Sequence, residues 1–197
     1  MGALMTVAPR HGWPRPPEGG WTADDLDRLP NLPPHTELLD GSLVFMSPQT
    51  AFHERAMLLL QLGLFRTAPE DLDVRREMTV TIGPRNRPEP DLLVIKADAL
   101  TSSKQTSFTP ADVILVVEVV SPDSEERDLG VKPRKYAGAG ISHFWRVENE
   151  DGLPVVHVFE LERATASYVP MGIFRDHLGL QVPFPIDIDL TAMNRRP

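Results

Sequence analysis

An apolar strand that contains a single carboxylate constrains this chain more than any other feature. Val113 to Val120 is a run of aliphatic residues interrupted only by Glu118. A charged side chain in an apolar strand is costly to bury unless another group pairs with it or binds it. The polar helix predicted after the next turn carries Asp128, Lys132 and Lys135. The rest of the chain is therefore expected to supply the partners of Glu118.

Length and composition indicate one globular domain. The chain has 197 residues, of which 41% are hydrophobic, and this is enough for a substantial core. Residues 1–21 are rich in proline and glycine without periodicity, so we predict a loose N-terminal arm followed by a single domain over residues 22–197. There are no cysteines, which excludes disulfides and thiolate metal sites.

Nothing in the sequence predicts a membrane partner. The longest apolar run of the leucine-rich helix, Ala56 to Leu60, is far too short to span a bilayer. Residues 1–10 lack the apolar stretch of a signal peptide. With the lack of cysteine, these features lead us to expect a cytoplasmic protein. The formal net charge of −8 disfavours indiscriminate binding of nucleic acid, so any DNA binding would need a local basic patch or metal ions.

The predicted elements alternate helices with groups of strands. This order is typical of one α/β (α+β) domain, with a mixed central sheet and helices packed on it. Asp40-Gly41 is a strong hairpin signal, because both residues tolerate a positive φ. Helices are predicted over residues 23–29, 50–66 and from about 128 to 139, and strands over 37–46 (two, as a hairpin), 73–82, 90–95, 113–120, 142–147, 154–161 and 166–171, with a mixed edge from residue 179.

Three charged residues can converge at one end of the predicted sheet. Asp91 begins one strand, Glu118 lies near the end of the next, and Lys132 lies on the following helix. If the two strands are neighbours, carboxylates about 4 Å apart would repel by about 4 kcal/mol at an effective dielectric of about 20. Either one of them is protonated or a cation lies between them. Mg²⁺ or Mn²⁺ is the natural cation for oxygen ligands of this kind.

Short segments in a fixed order carry a family resemblance. They include TADDL at 22–26, ELLDG at 37–41, MSP at 46–48, His53, Pro90-Asp91, EVVSP at 118–122, Asp128 with Lys132 and Tyr136, GI at 140–141 and FW at 144–145. Pro90-Asp91 with the later Glu118 resembles the PD-(D/E)xK nuclease superfamily. Within it, the ordered series resembles the Uma-type putative restriction endonuclease family, from about Thr22 to Phe159.

The resemblance implies a restriction-endonuclease-like core and metal-dependent hydrolysis of DNA phosphodiester bonds. It implies that Asp91 and Glu118 are metal ligands and that Glu37 is a further acid near the metal. The chain departs from the superfamily pattern, because Val120 stands where that pattern has a lysine. The family places a lysine on the next helix instead, which matches Lys132.

Other roles remain open for several of these residues. Asp91 could be a simple turn residue, Lys132 a solvated helix charge and Glu37 the partner of a surface arginine. Arg85 and Arg87, on a turn close to Asp91, are candidates for contacts with DNA phosphates, although such a turn is often just solvated. Lys135 is a third candidate for DNA contact. His53 is expected to be a packing or capping residue of the first helical turn rather than a catalytic base. Tyr136, Phe144 and Trp145 are expected to be core residues rather than base-stacking platforms.

Two functional alternatives accompany the endonuclease hypothesis. The net charge and the acidic turn with Asp123, Glu125 and Glu126 suit a catalytically inert protein that keeps a nuclease fold for interactions. A carboxylate site does not choose its substrate, so hydrolysis of RNA or a smaller phosphate ester is the other alternative. An enzyme that cuts both strands of a duplex is expected to be a homodimer with two active sites.

Overall fold

The computed structural model describes residues 15–194. Most of the predicted N-terminal arm, residues 1–21, therefore lies outside the described residues. In its described part, the Trp21 N–H donates to Gly41 O at 2.8 Å, which ties the start of the domain to the Asp40-Gly41 turn. No helix of this described part is long and apolar enough to cross a membrane.

The elements follow the predicted order. The helices are α1 (Ala23–Leu26), α2 (Ala51–Thr67) and α3 (Lys132–Gly138), and the strands are β1 (Thr36–Leu39), β2 (Ser42–Phe45), β3 (Leu72–Arg76), β4 (Thr79–Val80), β5 (Leu92–Lys96), β6 (Ser107–Phe108), β7 (Val113–Val119), β8 (His143–Glu150), β9 (Leu153–Glu162), β10 (Ser167–Phe174), β11 (His177–Leu180) and β12 (Ile186–Asp189). Short 3₁₀ turns cover Ala97–Ala99, Pro110–Asp112 and Leu190–Asn194.

A six-stranded sheet forms the centre of the molecule, in the order β10-β9-β8-β7-β5-β3. Neighbouring strands are antiparallel except β7 and β8, which are parallel. This confirms the predicted mixed central sheet. The strand that carries Glu118 is β7, which lies in the interior of the sheet and is almost wholly buried.

The two faces of the sheet are covered by different elements. Helix α2 packs on one face, where Leu60 and Leu64 join a core that includes Val117 and Trp145. Helix α3 lies on the other face, where Tyr136 joins a second core. Side chains alternate between faces along a strand, so Glu118, next to Val117, points toward α3 rather than α2.

Three segments differ from their predictions. The predicted strand over residues 73–82 is broken, because Glu77 adopts a positive φ of 52°, and only the short β4 follows the break. Before α3, Arg127–Val131 forms a π-helical turn. The regular helix begins at Lys132, with Pro133 in its first turn, where a missing N–H is tolerated. The predicted first helix, residues 23–29, is also shorter and ends at Leu26.

Candidate active site

Glu118 is buried, and both of its oxygens have partners. Lys132 Nζ donates to Oε2 at 3.1 Å, and the Tyr136 hydroxyl donates to Oε1 at 2.6 Å. Lys132 and Tyr136 are four residues apart on α3, so both side chains lie on the same face of that helix. The partners that the apolar strand requires are therefore supplied by α3.

Three carboxylates share the ammonium of Lys132. Its Nζ lies 2.8 Å from Glu37 Oε1, 3.1 Å from Glu118 Oε2 and 3.3 Å from Asp128 Oδ1. Asp128 and Lys132 are thus paired across one turn, and both are buried. Glu37 arrives from β1, far away in sequence, and its Oε1 also accepts the Glu89 N–H at 2.8 Å. We call Glu37, Asp91, Glu118, Asp128 and Lys132 the acid cluster.

Asp91 is the carboxylate of the acid cluster that is most open to solvent. Leu92 pairs with Val117, so Asp91, one residue earlier, lies beside Glu118 at the end of β7. Its Oδ2 accepts the Val119 N–H at 2.6 Å, and its Oδ1 lies 3.0 Å from His53 Nε2. The Asp91 side chain is 13% exposed, whereas the other charged side chains of the cluster are at most 2% exposed.

The acid cluster has more negative than positive charge. Burial raises the pKa of Glu118 well above its usual value, and Asp128, Asp91 and Glu37 raise it further, although Lys132 opposes them. Burial likewise raises the pKa of Asp128. Burial alone would lower the pKa of Lys132, but the surrounding carboxylates hold it well above its usual value. One ammonium therefore does not compensate four carboxylates, and the site favours an additional proton or cation.

The donor chemistry of the acid cluster fits a hard divalent cation. All of its acidic groups offer carboxylate oxygens, and Glu37 Oε2 is buried with no hydrogen-bond partner among residues 15–194. Within residues 15–194, however, no three acidic or histidine side chains are grouped as a ready ligand set. Lys132 occupies the point where the carboxylates meet. Asp91, Glu118 and Glu37 could hold a cation, which would replace part of the charge compensation that Lys132 supplies.

The three candidate DNA-contacting residues lie in different surroundings. Arg87 is buried, and it donates to Asp27 at 2.9 Å and to Thr79 at 2.8 Å, so its guanidinium is not free to contact a phosphate. Arg85 is exposed, and its Nη2 donates to Asp40 O at 2.6 Å. Lys135 pairs with the Asp40 carboxylate at 2.6 Å. Arg85 and Lys135 therefore meet at the Asp40-Gly41 turn, while Arg87 has a structural role.

Two side chains of the site were expected to be packing residues. Tyr136 is buried in the core, as expected, but its hydroxyl also binds Glu118. Its position four residues after Lys132 was the available signal, because that spacing places both on one helix face. His53 is buried in the first turn of α2 and contacts Asp91, which no local pattern indicates. Its role depends on how α2 packs beside β5.

The comparisons with known proteins agree with this fold. Residues 23–193 match the sequence profile of the Uma2 family, described as putative restriction endonuclease. Among solved structures, the fold is similar to that of a putative nuclease belonging to DUF820 from Anabaena variabilis ATCC 29413. The TM-score is 0.69 and the identity 16%, covering 87% of this chain and 96% of that chain. No curated protein sequence matches. The chain belongs to the Uma2 family of putative restriction endonucleases.

Proposed function

We propose that this protein is an endonuclease that hydrolyses DNA phosphodiester bonds with the help of Mg²⁺ or Mn²⁺. One observation carries the proposal: Lys132 Nζ lies within 3.3 Å of three buried carboxylates, with Asp91 beside them at the solvent edge. A buried excess of carboxylates destabilises the folded state. It suits a site that takes up a cation during function.

Asp91 and Glu118 are the proposed metal ligands, with Glu37 as the additional acid. When bound, the ion would stabilise negative charge on a phosphoryl oxygen and lower the pKa of a water. Asp91 lies nearest to solvent, so it is the carboxylate that an arriving phosphodiester would approach first. The Val119 N–H and His53 Nε2 fix its two oxygens in place.

Lys132 is the proposed positioning group for the attacking water. An ammonium near the developing charge orients a water by hydrogen bonding and stabilises the transition state electrostatically. The Lys132 side chain starts from α3, and the Tyr136 hydroxyl of the same helix holds the Glu118 carboxylate in place. The ammonium therefore comes from α3, the proposed metal ligands Asp91 and Glu118 come from the neighbouring ends of β5 and β7, and Glu37 comes from β1.

The proposed substrate approaches a surface that carries Arg85 and Lys135 at the Asp40-Gly41 turn. These residues can contact phosphates, which offsets locally the repulsion from a net charge of −8. We further propose that the protein acts as a homodimer, because two copies of one site can cut the two strands of a duplex. A monomer under cleavage conditions would be expected to nick duplex DNA rather than break it.

Plasmid cleavage at low ionic strength, with Mg²⁺ or Mn²⁺ and with chelator, tests this function. Low salt matters, because phosphate contacts weaken steeply as salt increases. Wild-type protein is expected to cleave the plasmid only with metal, to linear product as the proposed homodimer or to nicked product as a monomer, and Asp91→Asn is expected to remove the activity. Asp123→Asn is the matched control, because it makes the same change on an exposed side chain outside the acid cluster. Equal cleavage by wild type and Asp91→Asn would contradict the proposed site.

A catalytically inert interaction protein is the second candidate. It is favoured by the position of Lys132, which already lies where the carboxylates meet, and by the lack of a ready ligand set among residues 15–194. No cleavage of DNA by wild-type protein with either metal would favour this candidate. Cleavage of RNA or of a small phosphate ester under the same conditions would instead replace DNA as the proposed substrate and retain the acid cluster as the proposed site.

A further inference from the structure

A cavity of about 430 Å³ lies on the face of the sheet that carries α3. Its volume falls within the range of about 300–1,000 Å³ that is usual for small-molecule sites. The residues that line it include Arg134 from α3, Phe144 and Arg146 from β8, Phe159 from β9 and Tyr168 from β10. None of these belongs to the acid cluster.

Three aromatic rings are among the groups that line this cavity. Phe144 stacks with Phe159 at 5.7 Å between ring centroids and with Tyr168 at 5.4 Å, with interplanar angles of 29° and 23°. Phe144 is buried, whereas Phe159 and Tyr168 are half-buried. The Tyr168 hydroxyl donates to Ile141 O at 2.9 Å, which fixes its ring. Stacked aromatic side chains of this kind are platforms on which unpaired bases bind.

The charge of the cavity is opposite to that of the whole chain. Two arginines and no acidic residue are among the described residues that line it, although the net charge is −8. Arg134 is exposed, and its Nε donates to Gly130 O at 2.7 Å, which holds its guanidinium at the rim. The Arg146 guanidinium lies over the Phe159 ring, 5.5 Å from its centre, and its Nε donates to the Glu148 carboxylate at 2.7 Å. Planar guanidinium groups both bind phosphates and stack on bases.

The cavity adjoins the acid cluster. Arg146 is the direct neighbour of Glu118 across the parallel β7–β8 pair, so the two strands there are about 4.8 Å apart. On α3, Lys132 and Tyr136 face the acid cluster, while Pro133 and Ala137 line the cavity. The two sites therefore lie on adjoining sides of one helix, within about one helix diameter, ~10–12 Å.

We propose that this cavity binds one unpaired nucleotide of a nucleic-acid strand. Its base stacks against the half-buried Phe159 and Tyr168 rings, beside the Arg146 guanidinium that lies over Phe159, and Arg134 holds its phosphate. This inference rests on the proposed function, because it gives the strand a second contact next to the site of hydrolysis. A base must leave its stack to reach the platform, so the cavity selects single-stranded or frayed nucleic acid over intact duplex.

Fluorescence anisotropy with a labelled single-stranded DNA of twelve nucleotides, in chelator so that nothing is cleaved, tests the proposal. Arg134→Ala is expected to weaken binding about tenfold and to reduce the slope of log affinity against log salt by about 0.7, because one phosphate contact is lost. Phe159→Leu keeps an apolar side chain without the ring. It is expected to weaken binding by about tenfold while leaving the salt slope unchanged.

Arg66→Ala is the matched control, because this exposed arginine lies in the last turn of α2, on the opposite face of the sheet. It is expected to bind the strand as wild type does. If Arg134→Ala and Phe159→Leu both behave like Arg66→Ala, the cavity does not bind the strand and the inference is wrong. Equal affinity of wild type for single strand and duplex would also contradict it.

Competition with a nucleoside monophosphate distinguishes a free nucleotide from a nucleotide within a strand as the ligand of the cavity. If the mononucleotide alone binds as tightly as the strand and Arg134→Ala removes both, the cavity serves free nucleotides. Much tighter binding of the strand assigns it to nucleic acid. Loss of strand binding in the variants supports the inference even if the plasmid is not cleaved. Metal-dependent cleavage with unchanged strand binding overturns it and leaves the proposed function standing.

Discussion

At the scale of single residues, Lys132 is the ammonium that three buried carboxylates share. The sequence indicated that Glu118 needs partners, because the strand around it is aliphatic. The lysine could be chosen over Lys135 only through the family resemblance, since both lie on one short helix. The structure separates the two: Lys132 is 1% exposed within the acid cluster, whereas Lys135 is 16% exposed and pairs with Asp40, whose side chain is 72% exposed.

We predict that Lys132→Met is strongly destabilising. Removing one partner of a buried ion pair leaves uncompensated charge, which typically costs about 3–5 kcal/mol in the free energy of unfolding. Lys135→Met is the matched control on the same helix, where an ion pair with an exposed partner contributes about 0–1 kcal/mol. Urea denaturation at neutral pH measures both. Similar losses for the two variants would mean that Lys132 does not compensate the buried carboxylates.

We predict that Asp128→Asn changes how stability depends on pH. Burial raises the pKa of Asp128 above its usual 3.8, so the folded protein holds this proton more tightly than the unfolded chain does. That contribution is present below pH 3.8 and is lost as pH rises through the folded-state pKa. The asparagine variant lacks this loss, so its stability relative to wild type should increase from pH 4 to pH 7. A relative stability that falls over this range in urea denaturation would contradict the raised pKa.

At the scale of elements, local patterns predicted what local forces decide. The Asp40-Gly41 hairpin and the leucine-rich α2 lie where the sequence placed them, because turn residues and apolar periodicity are local signals. The π-helical turn Arg127–Val131 could not be predicted in this way. The turn lies beside Pro133, which lacks an N–H, and beside the long-range pairing of Lys132 with Glu37.

The packing of α2 gives a prediction at this scale. A Cβ at Gly63 would lie 2.5 Å from Ile188 Cδ1, whereas a Cβ at Gly138 would meet no atom of the described residues within 4 Å. Gly63→Ala is therefore expected to destabilise the protein, because overpacking costs about 1–3 kcal/mol and exceeds the gain in helix propensity. Gly138→Ala is expected to stabilise it by about 0.4–1 kcal/mol. Thermal unfolding of both variants measures whether each change raises or lowers stability. Stabilisation by Gly63→Ala would show that α2 and β12 pack less closely than the distance from Gly63 to Ile188 implies.

At the scale of the whole molecule, the acid cluster exists because distant segments meet at one end of the sheet. The antiparallel pairing of β5 with β7 brings Asp91 beside Glu118. The sequence predicted this contact only on the condition that the two strands are neighbours, and it could not show that they are. Glu37 from the hairpin and His53 from α2 complete the surroundings. The contact of His53 with Asp91 was beyond sequence patterns, because it depends on how α2 packs beside the cluster. The spacing of four residues between Lys132 and Tyr136 was the one local signal for the role of Tyr136.

The most direct test of the proposed metal centre is calorimetric titration of Mn²⁺ into wild-type protein, Asp91→Asn and Asp123→Asn. We predict saturable binding to wild type and to Asp123→Asn, and no binding to Asp91→Asn, because Asp91 is the proposed ligand at the solvent edge. Wild-type protein that binds no Mn²⁺ at millimolar concentration, or Asp91→Asn that binds it as wild type does, would contradict a metal centre in the acid cluster.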